Sequence, residues 1–152
     1  MTTVVDDTIA PNHFTIDALT VGQSVREVVR FTAEAMDGFV RLSADNAPFH
    51  VSREAAKAGG FDGPIIHGMH LAMRFSRLLG LYLPGGGTVI QKVNFNFLDP
   101  VYLDDEVTFS VTVERIIEAV DCVVLALLAT RGERRVVDGR AQCIFRLRPG
   151  AR

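Results

Sequence analysis

Residues 65–83 read IIHGMHLAMRFSRLLGLYL, and the fold turns on how that stretch is taken. Its Ile, Met, Leu, Ala and Phe side chains spread around most of a helical wheel. At a period of 3.6 residues they describe a helix that is apolar nearly all round. Such a helix belongs inside a molecule, packed against other elements. His67, His70, Arg74 and Arg77 interrupt the run, so no membrane-spanning helix is expected from it. Pro64 precedes the helix, and PGGG at 84–87 stops it.

Beyond PGGG the period switches to two. TVIQKVNFNF (88–97), EVTFSVTVERI (106–116), VDCVVLALLATR (120–131) and RRVVDGRAQCIFRLR (134–148) read as four antiparallel strands joined by tight turns, one of them around RGER at 131–134. Upstream, SVREVVRF (24–31) alternates as a first strand. Thr32 then caps a helix with Ala33 and Glu34 in its first turn and Phe39, Val40 and Leu42 near its end. Residues 43–63 carry turn chemistry at Pro48, Gly59-Gly60 and Asp62-Gly63, with a short helix at 52–58 capped by Ser52. The chain up to the turn-forming Gly22 is expected to be irregular, with 1–17 as a lead-in to a single domain spanning 1–152. The architecture that follows is α+β: an antiparallel sheet wrapped around one long central helix.

Composition narrows the function. At 152 residues with 48% hydrophobic side chains, the chain has the material for one well-formed core. A net charge of -2 is too small for electrostatic capture of nucleic acid or a membrane surface. Cys122 and Cys143 lie far apart in strand-like apolar runs and form no metal-binding spacing, so buried free thiols are expected. MTTVVDDTIA is acidic and does not read as a signal peptide, and a soluble cytoplasmic protein is expected.

The chemistry concentrates at 42–52, LSADNAPFHVS, where Asp45 and His50 stand five residues apart with Pro48 between them. Taken alone, Asp45 and Asn46 suit an ordinary turn. Read with the His-Gly start of the central helix, they resemble the hot-dog-fold R-specific enoyl-CoA hydratases, the MaoC-like hydratase/dehydratase group. That family carries a Ser-Gly-Asp-x-Asn-Pro-apolar-His segment, here Ser43-Ala44-Asp45-Asn46-Ala47-Pro48-Phe49-His50. GPIIHGMHLAMRFSRLLG, LPGGG and the strand with VNFNF match downstream, and the resemblance runs from roughly residue 18 to 148. Two positions depart from the motif: Ala44 replaces its glycine and Ala47 its asparagine, with Asn46 one place earlier.

The resemblance implies reversible addition of water to the 2,3 double bond of an acyl-CoA or acyl-carrier-protein thioester. It gives Asp45 and His50 the water-activating roles and the Gly68 N–H the oxyanion, and it places Asn46, His67 and Ser76 on the substrate side. No metal and no separate cofactor are implied, since coenzyme A or phosphopantetheine arrives with the substrate. It further implies a homodimer or higher homo-oligomer seamed at 88–97, with an acyl carrier protein as a possible partner. His67 and His70, three apart with no carboxylate on their helix, make a poor metal set. Phe49, Phe61, Met73 and Leu79 are candidates for an acyl pocket, though core packing suits each as well. The alternatives are an acyl-thioesterase on the same fold, or a non-catalytic acyl-thioester-binding subunit. Residues 65–83 contain no Asp or Glu to serve as a thioesterase carboxylate, which favours the hydratase arrangement.

Overall fold

A computed structural model describes residues 2–6 and 9–147. Its elements are β1 (Thr2–Val4), β2 (Ser24–Arg30), α1 (Ala33–Ser43), α2 (Pro48–Val51), α3 (Arg53–Ala58), α4 (Gly68–Leu81), β3 (Thr88–Phe97), β4 (Glu106–Ile117), β5 (Cys122–Arg131) and β6 (Arg134–Phe145). Six strands form one sheet in the order β1-β2-β4-β5-β6-β3. Five of them pair antiparallel, and β1 joins the β2 edge in parallel register, Thr2 opposite Ser24. The lead-in expected to be irregular therefore supplies one short strand at Thr2–Val4, added to the expected antiparallel sheet. Three exposed residues give no alternation to read, and an open edge supplied their partner.

The sheet curls around one face of α4. Val107, Phe109, Val111 and Val113 of β4 and Val123, Leu125 and Leu127 of β5 meet Leu71, Phe75, Leu78 and Leu79 of the helix in a single core. Each fully buried leucine or phenylalanine contributes roughly 2–3 kcal/mol, so this contact dominates the stability of the helix. The opposite face was expected to be buried as well, and it is not: Met69 is 64% and Met73 41% exposed. The sheet covers one side only, and helical periodicity cannot say whether a second side has a partner within the chain.

Among the described residues, one carboxylate enters the core. Glu27 sits at an inward position of β2, 4% exposed, and receives Arg74 Nη2 at 2.6 Å together with Arg77 Nη1. Arg74 and Arg77 are one turn apart on α4, so both guanidinium groups reach the same carboxylate. At the far edge, Gly139 of β6 lies so close to β3 that a Cβ there would stand 2.0 Å from the Asn94 carbonyl oxygen. Only glycine lets these two backbones pair in this way.

Local signals fixed the caps. Thr32 Oγ1 accepts from the Ala35 N–H and Ser52 Oγ from the Ala55 N–H, both at 3.2 Å. The 43–63 segment holds one more helical turn than the sequence suggested: α2 opens on Pro48, whose fixed φ suits a first helical position. The assembled architecture is the hot-dog fold, an α+β arrangement with a long helix held by its sheet.

Candidate active site

The segment between α1 and α2 is shaped by its own side chains. Ser43 donates its hydroxyl to the Phe39 carbonyl at 2.7 Å and accepts from the Asp45 N–H at 3.1 Å. Asp45 Oδ1 accepts from the Ala47 N–H at 3.2 Å, an Asx turn that fixes the carboxylate over the start of α2. Ala44 closes α1 in the left-handed conformation at φ 56°. The motif's glycine position is therefore a helix terminus that favours glycine for its backbone.

Both histidines of the site are oriented by backbone carbonyls. His50 Nδ1 lies 2.8 Å from the Ile65 oxygen, and His67 Nε2 lies 2.9 Å from the Asp45 oxygen. A carbonyl only accepts, so the proton sits on Nδ1 of His50 and on Nε2 of His67. His50 is left with Nε2 as its basic nitrogen. The two rings stack with centroids 3.7 Å apart and planes inclined by 23°. Donor atoms of Asp45, His50 and His67 all lie within 4.8 Å of one another. A shared metal ion would need the rings to unstack, because their lone pairs lie in planes offset along the stack.

His50 opens onto a cleft of about 400 Å3, lined by Phe61, Ile65, Ile66, Gly68, Leu71 and Phe97 and then by Leu98, Asp99, Pro100 and Val101. The walls are apolar except for Asp99, which Arg131 holds at 3.2 Å. Gly68 begins α4, and His67 before it supplies no side-chain cap. The N–H groups of Gly68 and Met69 consequently have no partner among the described residues, and Gly68 itself lines the cleft. A Cβ on Gly68 would stand 3.0 Å from Cε1 of Phe97, so glycine keeps this helix start open.

Of the residues singled out from sequence, Asp45, His50, His67 and Gly68 come together. Asp45 and Asn46 are exposed, and the cleft lining includes neither of them. His67 is buried at 2% exposure behind His50 rather than in the cleft wall. Ser76 lies two turns along α4 on its exposed face, away from the cleft. Phe61 lines the cleft, Phe49 packs on it with ring centroids 5.7 Å apart, Met73 is exposed and Leu79 belongs to the core. The Ile65 carbonyl and Phe97 were not anticipated. A backbone acceptor leaves no mark in a sequence, whereas the alternation of NFNF did hold the signal for Phe97.

Behind the site, Phe39 of α1 lies 4.8 Å from both His67 and His70, parallel to the latter within 5°. His70 is pushed down to about 4, first by burial and then by its neighbours His67 and Arg74.

On this hot-dog fold, His50 and the uncapped start of α4 at Gly68 border one apolar cleft, while Asp45 lies exposed outside the cleft lining with its carboxylate within 4.8 Å of a ring nitrogen of His50. A family model described as the MaoC-like domain matches residues 17–130, and the chain belongs to that family. It is 38% identical over 125 residues to an (R)-specific enoyl-CoA hydratase of Aeromonas caviae, covering 82% of this chain and 93% of that protein. The solved structure of an (R)-hydratase from A. caviae involved in PHA biosynthesis superposes with a TM-score of 0.79 at 37% identity, covering 84% of this chain and 98% of that one. An unliganded R-hydratase from Pseudomonas aeruginosa superposes with a TM-score of 0.81 at 25% identity, covering 90% and 88%.

Proposed function

We propose that the protein is a hydro-lyase, an R-specific enoyl-thioester hydratase that also runs as a 3-hydroxyacyl-thioester dehydratase. The observation that carries this reading is the clustering of Asp45 and His50 within 4.8 Å, with His50 and the Gly68 helix start lining the same apolar cleft. A water held between the carboxylate and His50 Nε2 gives its proton to the imidazole while its oxygen bonds C3 of the enoyl group. The Asp45/His50 pair then returns a proton to C2. One H and one OH are added overall, and the reverse path eliminates them. Between these steps the negative charge rests on the thioester oxygen, where the Gly68 N–H and the positive end of α4 stabilise it.

The similarity to enoyl-CoA hydratases favours coenzyme A as the thiol carrier, with phosphopantetheine on a carrier protein as the alternative. Neither carrier adds a separate cofactor. Two cysteines that stay as thiols fit a reducing, cytoplasmic setting. No helix among the described residues is long and apolar enough to cross a membrane.

A homodimer completes the reading. β3 is a ten-residue edge strand whose Val89, Ile90 and Val93 are exposed, and α4 likewise leaves Met69 and Met73 exposed. Pairing two such edges would cover the unpaired backbone of both. Analytical ultracentrifugation of the wild type against Val93→Glu tests this, with a dimer that becomes a monomer as the expected outcome.

The activity test is loss of the conjugated-thioester absorbance of a short enoyl-CoA. The wild type should consume it, and Asp45→Asn should lose on the order of 10²-fold or more in rate. Release of free thiol without hydration would identify a thioesterase instead, and neither signal would leave a binding subunit.

A further inference from the structure

We infer that His67 is the positioning residue of this site, setting the acid, the base and the oxyanion donor relative to one another without touching substrate. The inference rests on the hydratase reading and names a residue on which its geometry depends.

Asp45 is held at three points: its N–H by Ser43, its carboxylate by the Ala47 N–H, and its carbonyl by His67 Nε2 at 2.9 Å. The first two lie within the same short segment. Among the described residues, the bond to His67 is the hydrogen bond that ties Asp45 to a part of the chain outside that segment, the residue that leads into α4. The same imidazole forms the floor under His50, at 3.7 Å between centroids, and prevents that ring from tilting away from the cleft. His67 is also the residue before Gly68, so its φ of -58° and ψ of 134° turn the chain into the helix and aim the Gly68 N–H. Phe39 backs the ring at 4.8 Å.

Its Nε2 is spent on the Asp45 carbonyl, and Nδ1 is buried with no partner among the described residues. A nitrogen left unpartnered at 2% exposure carries a desolvation cost that the contacts of the ring must offset. An imidazole is tolerated here because it alone combines a flat face for His50 with a side-chain donor at the distance of the loop carbonyl.

Three variants separate those functions. His67→Phe keeps the flat face and loses the donor. His67→Gln places an amide N–H near the position of Nε2 and loses the face, and His67→Ala removes both. A misplacement of about 1 Å at a reacting group costs on the order of 10²-fold, so kcat for the hydration of a short enoyl-CoA should fall by about that factor in His67→Phe and His67→Ala. His67→Gln should recover kcat to within about tenfold of wild type, with KM moving by less than about threefold in all three. Loss confined to KM, or a His67→Phe enzyme with wild-type kcat, overturns the inference.

A second readout needs no activity. Amide hydrogen exchange over residues 44–50 should speed up in His67→Phe and stay near wild type in His67→Gln, with the sheet unchanged in both. Should the wild type fail to hydrate any enoyl thioester, the hydratase reading falls and this comparison decides alone. Equal exchange of 44–50 in His67→Phe and wild type then ends the positioning assignment.

Discussion

His50 Nδ1 donates to the carbonyl of Ile65 at 2.8 Å, a bond that joins the imidazole to the residue three places before the helix start. That bond sets the tautomer and leaves Nε2 as the basic nitrogen of the ring. Asn at position 50 keeps an amide donor at the Nδ1 place and supplies no base. His50→Asn should therefore fold with a melting temperature close to wild type while turnover falls by about 10²- to 10⁴-fold. Residual activity near the wild-type rate would remove His50 from the chemistry.

Gly68→Ala adds one methyl group where Phe97 stands 3.0 Å away. Phe97 is half exposed and can swing aside, and alanine is the better helix former by about 1 kcal/mol. Stability should hold or rise. The methyl then occupies the approach to the helix-start N–H groups, and kcat should fall at least tenfold, which steady-state rates beside a thermal melt will show.

His70 gives the protein a pH dependence of defined sign. Its folded value is lowered from 6.5 to about 4 by burial first, so between those limits the unfolded chain binds a proton that the folded chain refuses. The contribution is complete above 6.5, declines as pH falls toward 4, and amounts at most to on the order of 3 kcal/mol. In urea titrations at a series of pH values, His70→Phe should lose less stability across that window than wild type. Parallel curves would show that His70 is not the group responsible.

Ala44 holds φ 56°, where a Cβ crowds the following carbonyl. Ala44→Gly should stabilise the fold by about 1 kcal/mol, read as a raised denaturation midpoint with no change in slope. An unchanged or lowered midpoint would mean that the added backbone freedom of glycine offsets the relief.

The order of helix and strands was legible because apolar spacing in 65–83 and in the four strands after it reflects the same packing that the fold uses. The Asp45–His50 pair was legible because its spacing straddles Pro48, which starts α2 and turns the chain back on itself. What escaped are features with no side-chain signature. The Ile65 carbonyl is a backbone atom, and β1 is three exposed residues docked on an edge. Met69 and Met73 looked like core because spacing records that a face is apolar and not what covers it. Glu27 was hidden in SVREVVR, where three charges among apolar neighbours leave the inward phase undecided until Arg74 and Arg77 are seen beneath it.

Cys122 lies opposite Ile144 and Val123 opposite Cys143, so the two thiols stand on opposite faces of the sheet and cannot be joined. Both are buried, and Cys143 is pushed up to about 12 by burial. Alkylating reagents should find neither in the folded protein. A cysteine introduced on the exposed face of α4, at Ser76 for example, would be the single labelling handle for a fluorophore or spin probe. Helix-to-helix distances across an assembled pair could then be measured without first removing a native residue.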